Sequence, residues 1–170
     1  MTRPFETLED MNEAIVEGIN EVVHTNDWLI HLGDWSFGGF DKIKEFRDQL
    51  NCKNIVLILG NHDHHIQNDK DKVRRLFSHV ANYEELKVTH SKNATEKFVL
   101  CHYPIISWNG QHHGTRMIHG HQHLKGDSRV TQTDRMDVGI CGNPFFRPYH
   151  IEEVIKHLNE NIVNNEVVLK

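Results

Sequence analysis

The chain has 170 residues, 38% hydrophobic and 25% charged, a composition that excludes an extended disordered polymer. Its net charge of -5 and pI near 6.3 give no general attraction to nucleic acid. No apolar run approaches the ~18 residues of a membrane span, and "MTRPFETLEDMNEA" lacks the apolar stretch of a secretory signal.

In chain order, residues 7 to 24 place Leu8, Met11, Ile15, Ile19 and Val22 on one helical stripe, with Thr7 and Asp10 as a relative of the capping box. "DWLIHLGD" (27 to 34) reads as a short strand ending in a Gly-Asp turn. A second helix follows over 40 to 50, where Ile43, Phe46, Arg47 and Leu50 are spaced by three or four. The unbroken run "NIVLILG" (54 to 60) predicts a strand buried on both faces. "DKVRRLFSHV" (71 to 80) is assigned a third helix, and "YEELKVTH" and "EKFVLCHYP" flank "SKNAT" as a hairpin. "RMIHGHQH" and "RMDVGIC" read as two more strands, and residues 149 to 162 as a late helix. Strand, loop and helix alternate without repeats, which predicts an α/β (α+β layered) single domain over 1–170. Cys52, Cys101 and Cys141 are odd in number and far apart, so a reducing, cytoplasmic compartment is expected and a disulfide framework is not.

The polar residues fall where such layering would use them. Asp34 ends one apolar strand; Asn61, His62 and Asp63 end the next; His102 ends "KFVLC"; His119, His121 and His123 end "RMI". The carboxyl edge of an α/β sheet is where ligands bind. Taken singly, each motif has a plainer reading. "GD" is a common turn, "GNHD" a turn with solvated histidines, and His102 a satisfied buried imidazole. "GHQH" would put His121 and His123 on one side of an extended segment, a natural metal pair, or form a His-rich surface loop. The order G-D, G-N-H-D, H-Y-P, G-H-x-H is what argues for one site.

Those motifs, "HLGD" (31 to 34), "LGNHD" (59 to 63), "CHYP" (101 to 104) and "HGHQH" (119 to 123), resemble the calcineurin-like metallophosphoesterases, in particular small bacterial and phage members. The flanks "RPFETLEDMNEAI", "ISWN", "MDVG" and "YHIEEV" are similar too, so the likeness covers nearly the whole chain. It implies a β-sandwich flanked by helices, with a two-metal site at one end. Asp34 would bridge the metals, Asn61, His102 and His121 would complete one shell, and His123 would bind the other ion. His62 would be the catalytic acid, held by Asp63. Mixed hard oxygen and imidazole donors suit Mn, Fe, Zn or Co better than Ca²⁺. The expected reaction is hydrolysis of a phosphate mono- or diester by a metal-activated hydroxide. His112, His113 and Arg116 are candidates for contacting the substrate phosphate, against a reading as solvated loop residues.

The family pattern opens with a strand ending in D-x-H, and no such strand precedes "RPFETLEDMN" here. The resemblance therefore implies one well-formed metal site and one lacking two ligands. A start codon set too far downstream, a truncated gene or a one-metal variant would each account for it. The alternative function is a degenerate metal-binding module that recognises a phosphorylated partner, and a third reading treats the histidines as incidental.

Overall fold

The computed structural model describes residues 4–68, 71–89, 94–132 and 134–167. Helix α1 (Leu8–Val22) starts where the sequence places it: Thr7 accepts from the Asp10 backbone N–H, and Asp10 accepts from that of Thr7. Strand β1 (Trp28–His31) follows, then α2 (Phe40–Asp48) and β2 (Asn54–Ile58). β2 lies between β1 and β3 (His79–Ala81) in a three-stranded parallel sheet. Side-chain alternation divides β2 cleanly. Ile55 and Leu57, with Leu59 beyond, pack under α1 and α2, against Ile19, Val23 and Ile43. Val56 and Ile58 face the other way.

That second face meets a five-stranded mixed sheet in the order β4-β5-β6-β8-β7, formed by Tyr83–Thr89, Thr95–Cys101, Arg116–His119, Arg135–Asp137 and Val130–Gln132 respectively. Phe98, Leu100, Ile118 and Met136 point into the space between the sheets, which α4 (Ile151–Val167) closes with Val154, Ile155 and Leu158. Val99, Cys101 and Met117 alternate to the outer face under Trp108. The α/β layering is thus as expected: parallel and mixed sheets flanked by helices. β1 is an edge strand, and a cavity of about 490 Å³ opens beside it, with Leu29, Ile30, Leu100, Ile118 and Val154 on its apolar wall and His24, Asp27, Arg147 and His150 among its polar lining. Among the described residues no helix is long and apolar enough to cross a membrane. All three cysteines are buried free thiols.

One predicted element is corrected. Residues 71 to 80 form no α-helix but a turn, a 3₁₀ turn at Arg74–Leu76 and strand β3. Val73 and Phe77 have helical spacing and are buried. Ser78, however, donates its N–H to the Ile55 carbonyl and accepts the Ile55 N–H on its hydroxyl, which draws the chain into the sheet beside β2. Pairing across the sheet overrides local periodicity. The hairpin of β4 and β5 forms as read, and residues 90–93 of its connection lie outside the described residues. The one-turn helix α3 (His64–Asn68) and strand β7 have no counterpart in the sequence reading.

Candidate active site

Four loops meet at the carboxyl ends of β1, β2, β5 and β6. β1 pairs in parallel with β2, and β5 with β6, so each pair delivers its loops to one edge. His102 follows β5 directly and is 2% exposed. Its Nδ1 lies 2.7 Å from the Leu32 carbonyl oxygen and must donate to it. The proton is therefore on Nδ1, and in the neutral imidazole Nε2 presents a lone pair. That Nε2 lies 3.0 Å from Asn61 Oδ1, 3.1 Å from His121 Nδ1 and 3.6 Å from Asp34 Oδ2. His121 Nδ1 is itself 3.0 Å from Asn61 Oδ1. The structure brings Asp34, Asn61, His102 and His121 together.

The backbone that delivers them is unusual. Asp34 has φ +57° and follows Gly33 at φ +90°, two left-handed residues in succession. Gly33 also has no room for a side chain, because a Cβ there would come within 2.5 Å of His102 Nδ1 and 2.6 Å of the Gly60 nitrogen. Asp63, 1% exposed, locks this crossing of loops. Its Oδ2 accepts the N–H groups of Asp34 and Gly60, and its Oδ1 accepts that of Trp35, all at 2.8 Å. The carboxylate expected to hold the His62 ring is thus given to the backbone of the Asp34 turn. His62 is placed instead by its own N–H, which donates to Asp34 Oδ1 at 2.9 Å. Its exposed ring rests on Phe37, centroids 4.7 Å apart.

His121 and His123 do not alternate along an extended segment. Both have positive φ, +68° and +54°, and the Gln122 N–H turns back to the Gly120 carbonyl. The turn aims His121 into the cluster, while His123 is exposed and no hydrogen bond or ion pair joins it to the cluster among the described residues. The buried Asp137 anchors the far end of this loop, accepting the N–H groups of Leu124 and Gly139. Burial pushes the imidazoles of His31 and His119 below their ordinary range, which favours their neutral forms; the charges of Asp63 and Asp34 oppose this at His31.

Arg116 and the pair His112 and His113 lie elsewhere. The chain returns over the outer face of the second sheet before β6, so these residues sit at or before the strand's amino end, Arg116 roughly 10 Å from His119 along the strand. Arg116 is bound there to Asn159 and faces Glu96. Sequence reasoning missed Phe37, the Leu32 carbonyl and the anchoring roles of Asp63 and Asp137. Asp63 and Asp137 had signals, in "LGNHD" and "MDVG".

Among the described residues no group of three or more His, Cys, Asp or Glu is arranged to hold a metal ion. The cluster reaches three close donor atoms only through the Asn61 amide oxygen. With that oxygen counted, the chemistry fits a cation: a bare imidazole nitrogen and an amide oxygen, both acceptors, face each other at 3.0 Å. Donors about 3 Å apart have the spacing of ligands ~2.1 Å from one six-coordinate ion.

Comparison with known proteins places the chain in a family. The chain is 33% identical over 123 residues to the uncharacterized protein MJ1445 of Methanocaldococcus jannaschii, covering 71% of this chain and 58% of that one. It therefore spans rather more than half the length of that relative. Its fold is similar to the crystal structure of AQ665, a protein of unknown function from Aquifex aeolicus, with a TM-score of 0.64 and 21% identity over 90% of this chain and 88% of that one. The family model for calcineurin-like phosphoesterases matches residues 3–161, nearly the whole chain, and the protein belongs to that family.

Proposed function

We propose that the chain is a metal-dependent phosphoesterase that hydrolyses phosphate mono- or diesters, with His62 as general acid. Family membership supports phosphoesterase chemistry. The observation that carries the reading further is the convergence of His102 Nε2, Asn61 Oδ1 and His121 Nδ1 within 3.1 Å, with Asp34 Oδ2 beside them. Asp34, Asn61, His102 and His121 would hold a divalent cation, Mn, Fe, Zn or Co by donor type. When bound, such an ion supplies positive charge for the phosphoryl oxygens and lowers the pKa of water toward neutrality.

The chain's own residues do the rest. The Leu32 carbonyl fixes the His102 tautomer by accepting the hydrogen bond of its Nδ1–H. Asp63 keeps the Asp34 turn and Gly60 in register. His62, exposed, with its backbone N–H bonded to Asp34 and its ring against Phe37, is open to an ester from the solvent side. As the P–O bond breaks and water oxygen adds to phosphorus, protonated His62 gives its proton to the departing oxygen, a contribution of ~10² to 10⁴ in rate.

The position of His123 favours a second reading, a one-metal module that binds phosphate without turnover. Turning the Asn61 amide over would likewise satisfy both imidazoles with N–H donors and no cation. One experiment separates the three: metal content per chain after dialysis against Mn²⁺, with hydrolysis of 4-nitrophenyl and bis(4-nitrophenyl) phosphate. Bound metal with turnover that falls at least 100-fold in His62→Gln supports the enzyme. Bound metal without turnover supports the module, and no stoichiometric metal overturns both.

A further inference from the structure

The cluster is edged by two aromatic rings that stay in solvent. Phe37, three residues beyond Asp34, is 80% exposed, and its ring contact is the imidazole of His62 at 4.7 Å. Tyr103, directly after His102, is 43% exposed, with its ring 5.0 Å from that of His102 and 4.9 Å from that of His121. One exposed apolar side chain carries no argument, since surfaces hold many. What matters is where these two stand.

His62 is the residue that gives up a proton to the departing oxygen, so the leaving group must lie against it. Phe37 occupies that same neighbourhood, and beyond its contact with His62 the ring is open to solvent. A small alkyl alcohol or a free phosphate would gain nothing from it. A planar ring would gain a stacking partner, and stacking on aromatic side chains is tolerant of which ring is presented. Gly38 and Gly39 follow Phe37, so no side chain immediately beyond it competes for that face. Tyr103 supplies a second aromatic wall on the His102–His121 side.

We infer that Phe37 and Tyr103 form a subsite for a planar aromatic group on the leaving side of the ester, so that aryl or nucleoside esters are preferred over alkyl ones. This rests on the reading of the cluster as the hydrolytic site, with His62 as its acid.

The test measures binding apart from turnover. Affinities of phenylphosphonate and methylphosphonate are compared in the presence of Mn²⁺ for the wild-type chain, Phe37→Ala and Phe37→Tyr. The wild type should favour the phenyl ligand about tenfold, Phe37→Ala should lose that preference, and Phe37→Tyr should keep it. In parallel, the ratio of kcat/KM for phenyl phosphate to that for glycerol phosphate should fall about tenfold in Phe37→Ala, mainly through KM. Equal affinity for both phosphonates in the wild type, or a preference that survives Phe37→Ala, overturns the inference, as does binding of neither. A phenyl preference with no hydrolysis of any ester leaves the subsite standing and overturns the proposed enzyme.

Discussion

At the scale of single residues, Asp63 and its neighbour His62 show how adjacent side chains divide the work. Asp63 is buried and spends its carboxylate on three backbone N–H groups that join the Asp34 turn to Gly60. His62 is exposed and spends only its backbone N–H on structure. Hydrogen bonds to a buried charge are worth roughly 1.5–3 kcal/mol each, and a donor left without a partner there costs more. Asp63→Asn keeps one acceptor oxygen and turns an NH₂ toward a backbone N–H. It should therefore destabilise the fold by about 2–4 kcal/mol, read as a lower urea midpoint at unchanged m-value. If Asp63 instead acted mainly by holding the His62 ring, Asn would leave the midpoint in place and lower only activity.

At the scale of elements, what the sequence made legible was whatever short-range pattern decides. The stripe and capping pair of α1, the two-faced burial of β2 and the hairpin of β4 and β5 are local, and they form as read. The metal-type residues at four strand ends could also be read, because a strand's end is visible in its own sequence. What could not be read is set by distant partners. Ser78 makes β3 through its bonds to Ile55, 23 residues away, and the tautomer of His102 depends on a carbonyl 70 residues away. The turn at His121 breaks the alternation that "GHQH" suggests, because two successive histidines of that motif take positive φ. Helix α4 illustrates an element whose start is fixed by charge. Arg147 holds the Glu153 carboxyl below its ordinary range, helped by the His150 N–H that donates to it. The unfolded chain then takes up that proton first as pH falls. The stabilisation is complete above the ordinary carboxylate pKa of 4.5 and is lost as pH drops through the lower folded value. Since Glu153 is partly open to solvent, the effect should stay within about 1 kcal/mol. In urea titrations from pH 7 to 3, the gap between wild type and Glu153→Gln should be constant above neutrality's acid side and close below pH about 4.5. A gap that widens in acid would show that Arg147 does not hold this carboxylate.

At the scale of the whole molecule, the cluster is a polar junction between two sheets that meet mainly through apolar packing, with the His79–Glu84 contact at 2.7 Å a second polar link between them. Asp34 and Asn61 come from the loops of the first sheet, His102 and His121 from those of the second, and the His102–Leu32 hydrogen bond already crosses between them. Unfolding that separates the sheets must scatter all four side chains. A cation held by them would thus bind the folded chain alone, and its binding energy would add to global stability, not to that of one loop. At a free concentration 100 times Kd that linkage amounts to ~2.7 kcal/mol. For a chain of this size it should raise Tm by about 5 to 10 °C. Calorimetric scans with Mn²⁺, then with excess chelator, should show the rise and its reversal. The His102→Ala, His121→Ala double variant, whatever its own Tm, should show no rise. A rise that persists in the double variant would place the ion elsewhere on the chain. No rise in the wild type at millimolar Mn²⁺ would mean that the four side chains join the sheets by hydrogen bonds alone, with the Asn61 amide turned to donate to both imidazoles.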